Sequence, residues 1–69
     1  LERKLSGWID ELPERQREAL SLTRFHGYDH AEAATVMGCS PRTVNNHLVR
    51  ALKVLRGRLA EYAPDLWQR

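Results

Sequence analysis

The stretch MGCSPRTVNNHLVRALKVLR, Met37–Arg56, contains a break followed by a long uninterrupted run. Gly38 suits the left-handed residue that closes a helix. Ser40 can cap the next helix through its hydroxyl, and Pro41 takes the first helical position, where its missing N–H costs nothing. From Pro41 no helix breaker occurs before Gly57, and Pro64 forbids continuation past about Tyr62 or Ala63. The pattern predicts a helix over 41–62, about 33 Å long at 1.5 Å per residue.

The elements upstream follow from the same signals. Leu1, Leu5, Trp8, Ile9 and Leu12 recur at helical spacing, which predicts a helix over 3–11 with Gly7 as its weak point. Pro13 and Glu14 restart the chain as a helix over 14–26, with Ala19, Leu20, Leu22 and Phe25 expected to supply apolar contacts. Gly27 ends it. Asp29 and Glu32 stand at capping-box spacing and open a short helix over 30–37, with Ala33, Ala34, Val36 and Met37 as its apolar face. No alternating β-branched run or hairpin dipeptide is present. The expected fold is all-α: one four-helix domain over 1–69 with a long last helix.

Around the last helix, at 100° per residue, Val44, Leu48, Ala51, Leu52, Leu55, Leu59 and Tyr62 form one apolar stripe. Arg42, Asn46, Val49, Arg50, Lys53 and Gly57 occupy the other side. Asn45 and His47 flank that side, and Thr43 lies near it. These residue types suit the edges of bases. Asn pairs with adenine N6 and N7, Arg pairs with guanine, and an apolar group touches the thymine methyl. Lys53 and Arg56 read as phosphate contacts, which position a helix without reading sequence.

Charge distribution supports a polyanionic partner. The net charge is only +2, but no acid occurs between Ala33 and Ala60. Residues 1–36 carry five bases (Arg3, Lys4, Arg15, Arg17, Arg24) and seven acids (Glu2, Asp10, Glu11, Glu14, Glu18, Asp29, Glu32). Residues 37–69 carry six bases (Arg42, Arg50, Lys53, Arg56, Arg58, Arg69) and two acids (Glu61, Asp65). A short helix, a Gly turn and a long helix with outward basic and amide groups form the helix-turn-helix pattern, whose second helix enters the DNA major groove. A solvated basic face, or one used for protein contact, is the competing reading.

The stretch Leu12–Leu59 resembles region 4 of bacterial sigma-70-family factors, and within them the extracytoplasmic-function (ECF) group. LPERQRE (12–18), GYDHAEAATVMG (27–38), SPRTV (40–44) and HLVRALKVLR (47–56) carry the resemblance. It implies a four-helix domain that binds the −35 promoter element through its last helix. It also implies docking on the β-subunit flap of RNA polymerase, and control by an anti-sigma protein. By position, the family's DNA contacts fall on Arg42, Thr43, Asn45, Asn46, His47, Val49 and Arg50. Asn45 stands where the family usually has Lys or Arg, and often another base stands at His47. Ala33 replaces a larger aliphatic residue, and Cys39 a small one. LuxR-type regulators also carry a "T-V-x-x-H" pattern, to which TVNNHL (43–48) leans. A sigma-like module that binds protein and no longer reads DNA is the other alternative.

Other chemistry finds little support. His26, His30, Cys39 and His47 match no usual zinc spacing, so no metal or cofactor is expected. There is no nucleophile–base pairing and no phosphate-cradling Gly loop, so no enzymatic activity is expected. A single cysteine fits a reducing compartment, and no apolar run approaches membrane-spanning length, which points to the cytoplasm without membrane contact. A start at Leu1 within helical sequence is read as part of a longer chain. Trp67, in the closing APDLWQR, is expected to fold back on the domain, with anchoring of a partner as the alternative.

Overall fold

The computed structural model describes residues 2–63. Helix α1 spans Glu2–Asp10, and α2 spans Glu14–Leu20 and runs on into a π-helical turn, Ser21–Phe25. Helices α3 (His30–Met37) and α4 (Pro41–Tyr62) complete the order, with no strand among the described residues. Leu1 and Trp67 lie outside them.

Local chemistry sets each boundary. Asp29 accepts the Glu32 N–H at 2.8 Å, and Glu32 accepts the Asp29 N–H at 3.0 Å, so the capping box that opens α3 is complete. Gly38 closes α3 in the left-handed conformation (φ 70, ψ 37), and the Cys39 N–H reaches back to the Ala34 carbonyl at 3.0 Å. Only glycine adopts that φ without a steric cost. Two residues later Ser40 Oγ accepts the Thr43 N–H at 3.1 Å, with Pro41 at the first turn. Two helix ends are thus satisfied within a six-residue corner.

The core is small and rich in alanine. Leu12, Ala19, Leu20, Ala33, Ala34, Met37, Val44, Leu48 and Ala51 are buried, and Ile9, Leu22, Cys39, Leu52 and Leu55 pack against them. Four of those nine are alanines, so α2, α3 and α4 approach closely rather than through long side chains. Cys39 is a half-buried free thiol at the margin of this core. At the far end of α4, Trp8 of α1 meets Tyr62 edge-on at 5.8 Å, and Lys4 Nζ sits 5.5 Å from the Tyr62 ring centre.

The structure corrects two expectations. The second helix does not run regularly to residue 26. Its last turn opens to π geometry, with the His26 N–H on the Ser21 carbonyl at 3.1 Å, and Thr23 Oγ1 bonds back to the Ala19 carbonyl. The wider turn changes the direction of the side chains after Leu20, and Phe25 is 66% exposed instead of packed in the core. Val36 is also exposed, because Ala33, Ala34 and Met37 already fill the buried face of the short α3.

Ala33 is fully buried, so Ala33→Glu places an unpaired charge where three helices converge. The expected cost is several kcal/mol, on the order of 10 °C or more in melting temperature for so small a domain. Thermal unfolding followed by circular dichroism checks it; an unchanged midpoint would contradict this packing.

Candidate nucleic-acid interface

Helix α4 carries the candidate site because its two faces are chemically sorted. Val44, Leu48 and Ala51 are buried, and Leu52, Leu55 and Leu59 are half-buried, so the apolar stripe fixes the rotation of the helix. The opposite side then has to face water. Arg42, Asn45, Asn46, Val49, Arg50 and Lys53 are all exposed on it. Arg42 and Lys53 are eleven residues apart, about 16 Å along the axis. That presents a continuous polar strip about three turns long.

Two expected site residues are less free. Thr43 is half-buried, and its Oγ1 lies 3.0 Å from Ser40 Oγ, so its hydroxyl already belongs to the helix cap. His47 is also half-buried, on the flank of the strip that borders the core. Arg56 is exposed but lines a groove between α1 and α4 with Leu5 and Trp8, on the edge of the helix away from Asn46 and Arg50. The structure therefore gathers Arg42, Asn45, Asn46, Val49, Arg50 and Lys53 on one surface, with His47 and Thr43 at one margin and Arg56 set apart.

The electrostatics of the strip follow from what pairs elsewhere. Arg58 binds Glu11 at 3.1 Å and ties α4 to the end of α1. Arg15 binds Glu18 at 3.0 Å. Among the described residues no carboxylate is paired with Arg42, Arg50 or Lys53. Their charge remains available to a polyanion, and the helix that holds them has no acid in its first turn.

Arg15 has a further role that the sequence did not reveal. Its guanidinium donates to the Met37 carbonyl at 3.1 Å, at the last residue of α3. A side chain from α2 thereby holds the corner from which α4 sets out. Sequence reasoning also missed a groove between α1, α2 and the π turn, with Leu5, Ile9, Leu22 and Phe25 as its apolar part. Asp10, Glu14 and Glu18 edge it, with the basic Arg17 among them. An irregular turn puts Phe25 there, and no simple periodicity signals such a turn.

Arg15→Ala is expected to cost about 1 kcal/mol, since a charge-assisted bond to a helix-end carbonyl is lost while the exposed ion pair to Glu18 contributes little. Urea denaturation checks it, with Glu18→Ala as the comparison that should be nearly silent.

Residues 3–55 match the family model for sigma-70, region 4. An ECF RNA polymerase sigma factor, EcfG, of Rhodopseudomonas palustris is 34% identical over 62 residues, covering 83% of this chain and 34% of that protein. A probable RNA polymerase sigma-C factor of Mycobacterium bovis is 42% identical over 57 residues, covering 83% of this chain and 29% of its own length. The RNA polymerase sigma-H factor of Pseudomonas aeruginosa is 40% identical over 47 residues, covering 68% of this chain and 24% of that factor. The chain thus spans about a third or less of the length of these relatives. No solved structure matches. The match begins at Arg3 and takes in α1, beyond the Leu12–Leu59 stretch on which the resemblance rested.

Proposed function

The chain belongs to the sigma-70 region 4 family, in its ECF branch, and from that premise we propose that it recognises the −35 promoter element through α4. The observation that carries this reading is the unpaired strip of Arg42, Asn46, Arg50 and Lys53, displayed by a capped corner of helix-turn-helix form. Inserted in a major groove, Asn46 and Arg50 sit one turn apart and face base edges. Asn45, Val49 and His47 border them. Lys53 grips phosphate, and Arg42 lies by the N–H groups at the helix start, which also favour phosphate. Thr43 contributes by holding the cap, and Arg56 reaches only the outer backbone.

The same reading includes docking on RNA polymerase, on the flap of its β subunit. The groove of Leu5, Ile9, Leu22 and Phe25 supports it, combining an apolar floor with a charged rim of Asp10, Glu14, Arg17 and Glu18 and holding no α4 residue. An exposed Phe in such a groove is a natural anchor for an apolar partner segment. An anti-sigma protein that covered this groove or the α4 strip would hold the factor inactive. Work beside RNA polymerase places the protein in the cytoplasm, and no helix among the described residues is long and apolar enough to cross a membrane.

The test uses holoenzyme reconstituted with the full-length factor that carries this region. Arg50→Ala is expected to weaken promoter binding by about 1–3 kcal/mol and to relax preference at one base pair. Lys53→Ala is expected to weaken binding evenly across sequences and to lower the salt slope by about one. If neither substitution alters promoter affinity while polymerase binding persists, the domain is an interaction module and not a reader of DNA. A separate substitution addresses docking. Phe25→Ala is expected to weaken holoenzyme assembly several-fold and leave the melting temperature nearly unchanged, because that ring is mostly in solvent.

A further inference from the structure

Val49 is the odd member of the α4 strip. It is 56% exposed, while Val44, Leu48 and Ala51 of the same helix are buried. Its surface neighbours are all polar. Asn45 stands one turn before it and Lys53 one turn after, with Asn46 and Arg50 beside them, and all four are exposed. A β-branched residue is a weak helix former, and its apolar surface gains nothing from water. Neither helix propensity nor burial accounts for a valine at this place.

What it supplies is a stiff apolar knob. In a helix valine keeps nearly one rotamer, so both of its methyl groups are fixed before a partner arrives, and covering them costs little side-chain entropy. The apolar group that the major groove offers is the methyl on the C5 atom of thymine. We propose that Val49 reads a pyrimidine C5 methyl group, an inference that rests on α4 entering the major groove as described above. Along the axis Val49 lies about 4.5 Å beyond Asn46 and about 1.5 Å before Arg50. Around the axis it stands about 60° from Asn46 and about 100° from Arg50, on the side of Asn45. The methyl it meets belongs to a base pair adjoining those two, inside the recognised element and not in flanking DNA.

The same chemistry extends to a modified base. 5-Methylcytosine carries its methyl at the same ring position and in the same groove as thymine. A cytosine at that base pair presents a methyl to Val49 only when it is methylated. Binding at such a site therefore responds to cytosine methylation.

The test uses holoenzyme containing the full-length factor and the −35 duplex it selects from a random library. Each thymine of the duplex is replaced in turn by uracil, which lacks only the methyl. The expected result is one position at which uracil weakens binding about fourfold, the effect of one methyl group taken out of water. Val49→Ala is expected to bind the thymine duplex as weakly as the unsubstituted factor binds uracil, and to be indifferent to the replacement. Val54→Ala, at a valine 43% exposed on α4 but off the strip, is expected to keep the full dependence. At the same position, 5-methylcytosine is expected to bind about fourfold better than cytosine, and only when Val49 is present. A thymine effect without a 5-methylcytosine effect overturns the response to methylation. Unchanged affinity with uracil at every position, while Arg50→Ala still weakens binding, overturns the role of Val49 and leaves DNA reading intact. A uracil effect that persists in Val49→Ala overturns that role too, as does a selected element without an A·T pair. If Arg50→Ala, Lys53→Ala and uracil all leave affinity unchanged, the reading of DNA falls and this inference falls with it.

Discussion

Everything in this domain depends on the close approach of α2, α3 and α4 through alanine. Ala19, Ala33, Ala34 and Ala51 are 3% exposed or less, and among the described residues Val44 is the only large side chain fully buried. Contacts of this size leave little apolar area per residue, so the fold draws on backbone satisfaction at its corners as much as on burial. The left-handed Gly38, the Ser40 cap, the Asp29–Glu32 box and the Arg15 bond to Met37 all serve the helices that frame α4. A larger residue at any of the four alanines would move α4 relative to α3, and with it the angle at which the polar strip meets a partner.

Charge separation within the chain makes that strip usable. A long helix without acids cannot neutralise its own bases, and acids on α1 and α2 lie where only some of the bases meet them. Arg58 meets Glu11, and Arg15 meets Glu18, while Arg42, Arg50 and Lys53 face away from both pairs. Exposed ion pairs contribute little stability. Their consequence here is placement: positive potential stays on one side of α4, and three acids, Asp10, Glu14 and Glu18, lie with Arg17 beside the groove of Phe25.

Much of this was legible in the sequence because each signal had a single physical meaning. Gly38 and Ser40-Pro41 could mean only a left-handed stop and a capped start, and α4 spans the expected 41–62. The 100° count placed Val44, Leu48 and Ala51 inward and Asn46 and Arg50 outward. Phe25 was illegible because a π turn depends on tertiary context and not on composition. That Arg56, read from the sequence as a phosphate contact, stands beside Leu5 and Trp8 of α1 was not legible, since a helical count gives rotation but not neighbours. The tie from Arg15 to Met37 joins residues twenty-two apart, beyond the reach of any local pattern.

The amides at the start of α4 change how DNA recognition would be balanced. With Asn45 and His47 where relatives of this kind carry bases, fewer phosphates are neutralised, so less of the binding free energy comes from released counterions. On the proposed reading, hydrogen bonds from Asn46 and Arg50 to base edges would then make up a larger share of what remains, and such bonds are sensitive to sequence. A domain balanced in the proposed way would hold DNA weakly by itself and discriminate well. Attachment to a partner that already holds the promoter offsets the weakness, because the second contact becomes intramolecular and its effective concentration replaces the missing charges. On the same reading, the groove beside Phe25, which holds no α4 residue, would give that attachment a surface of its own, so that weak DNA contact and firm partner contact could be tuned separately.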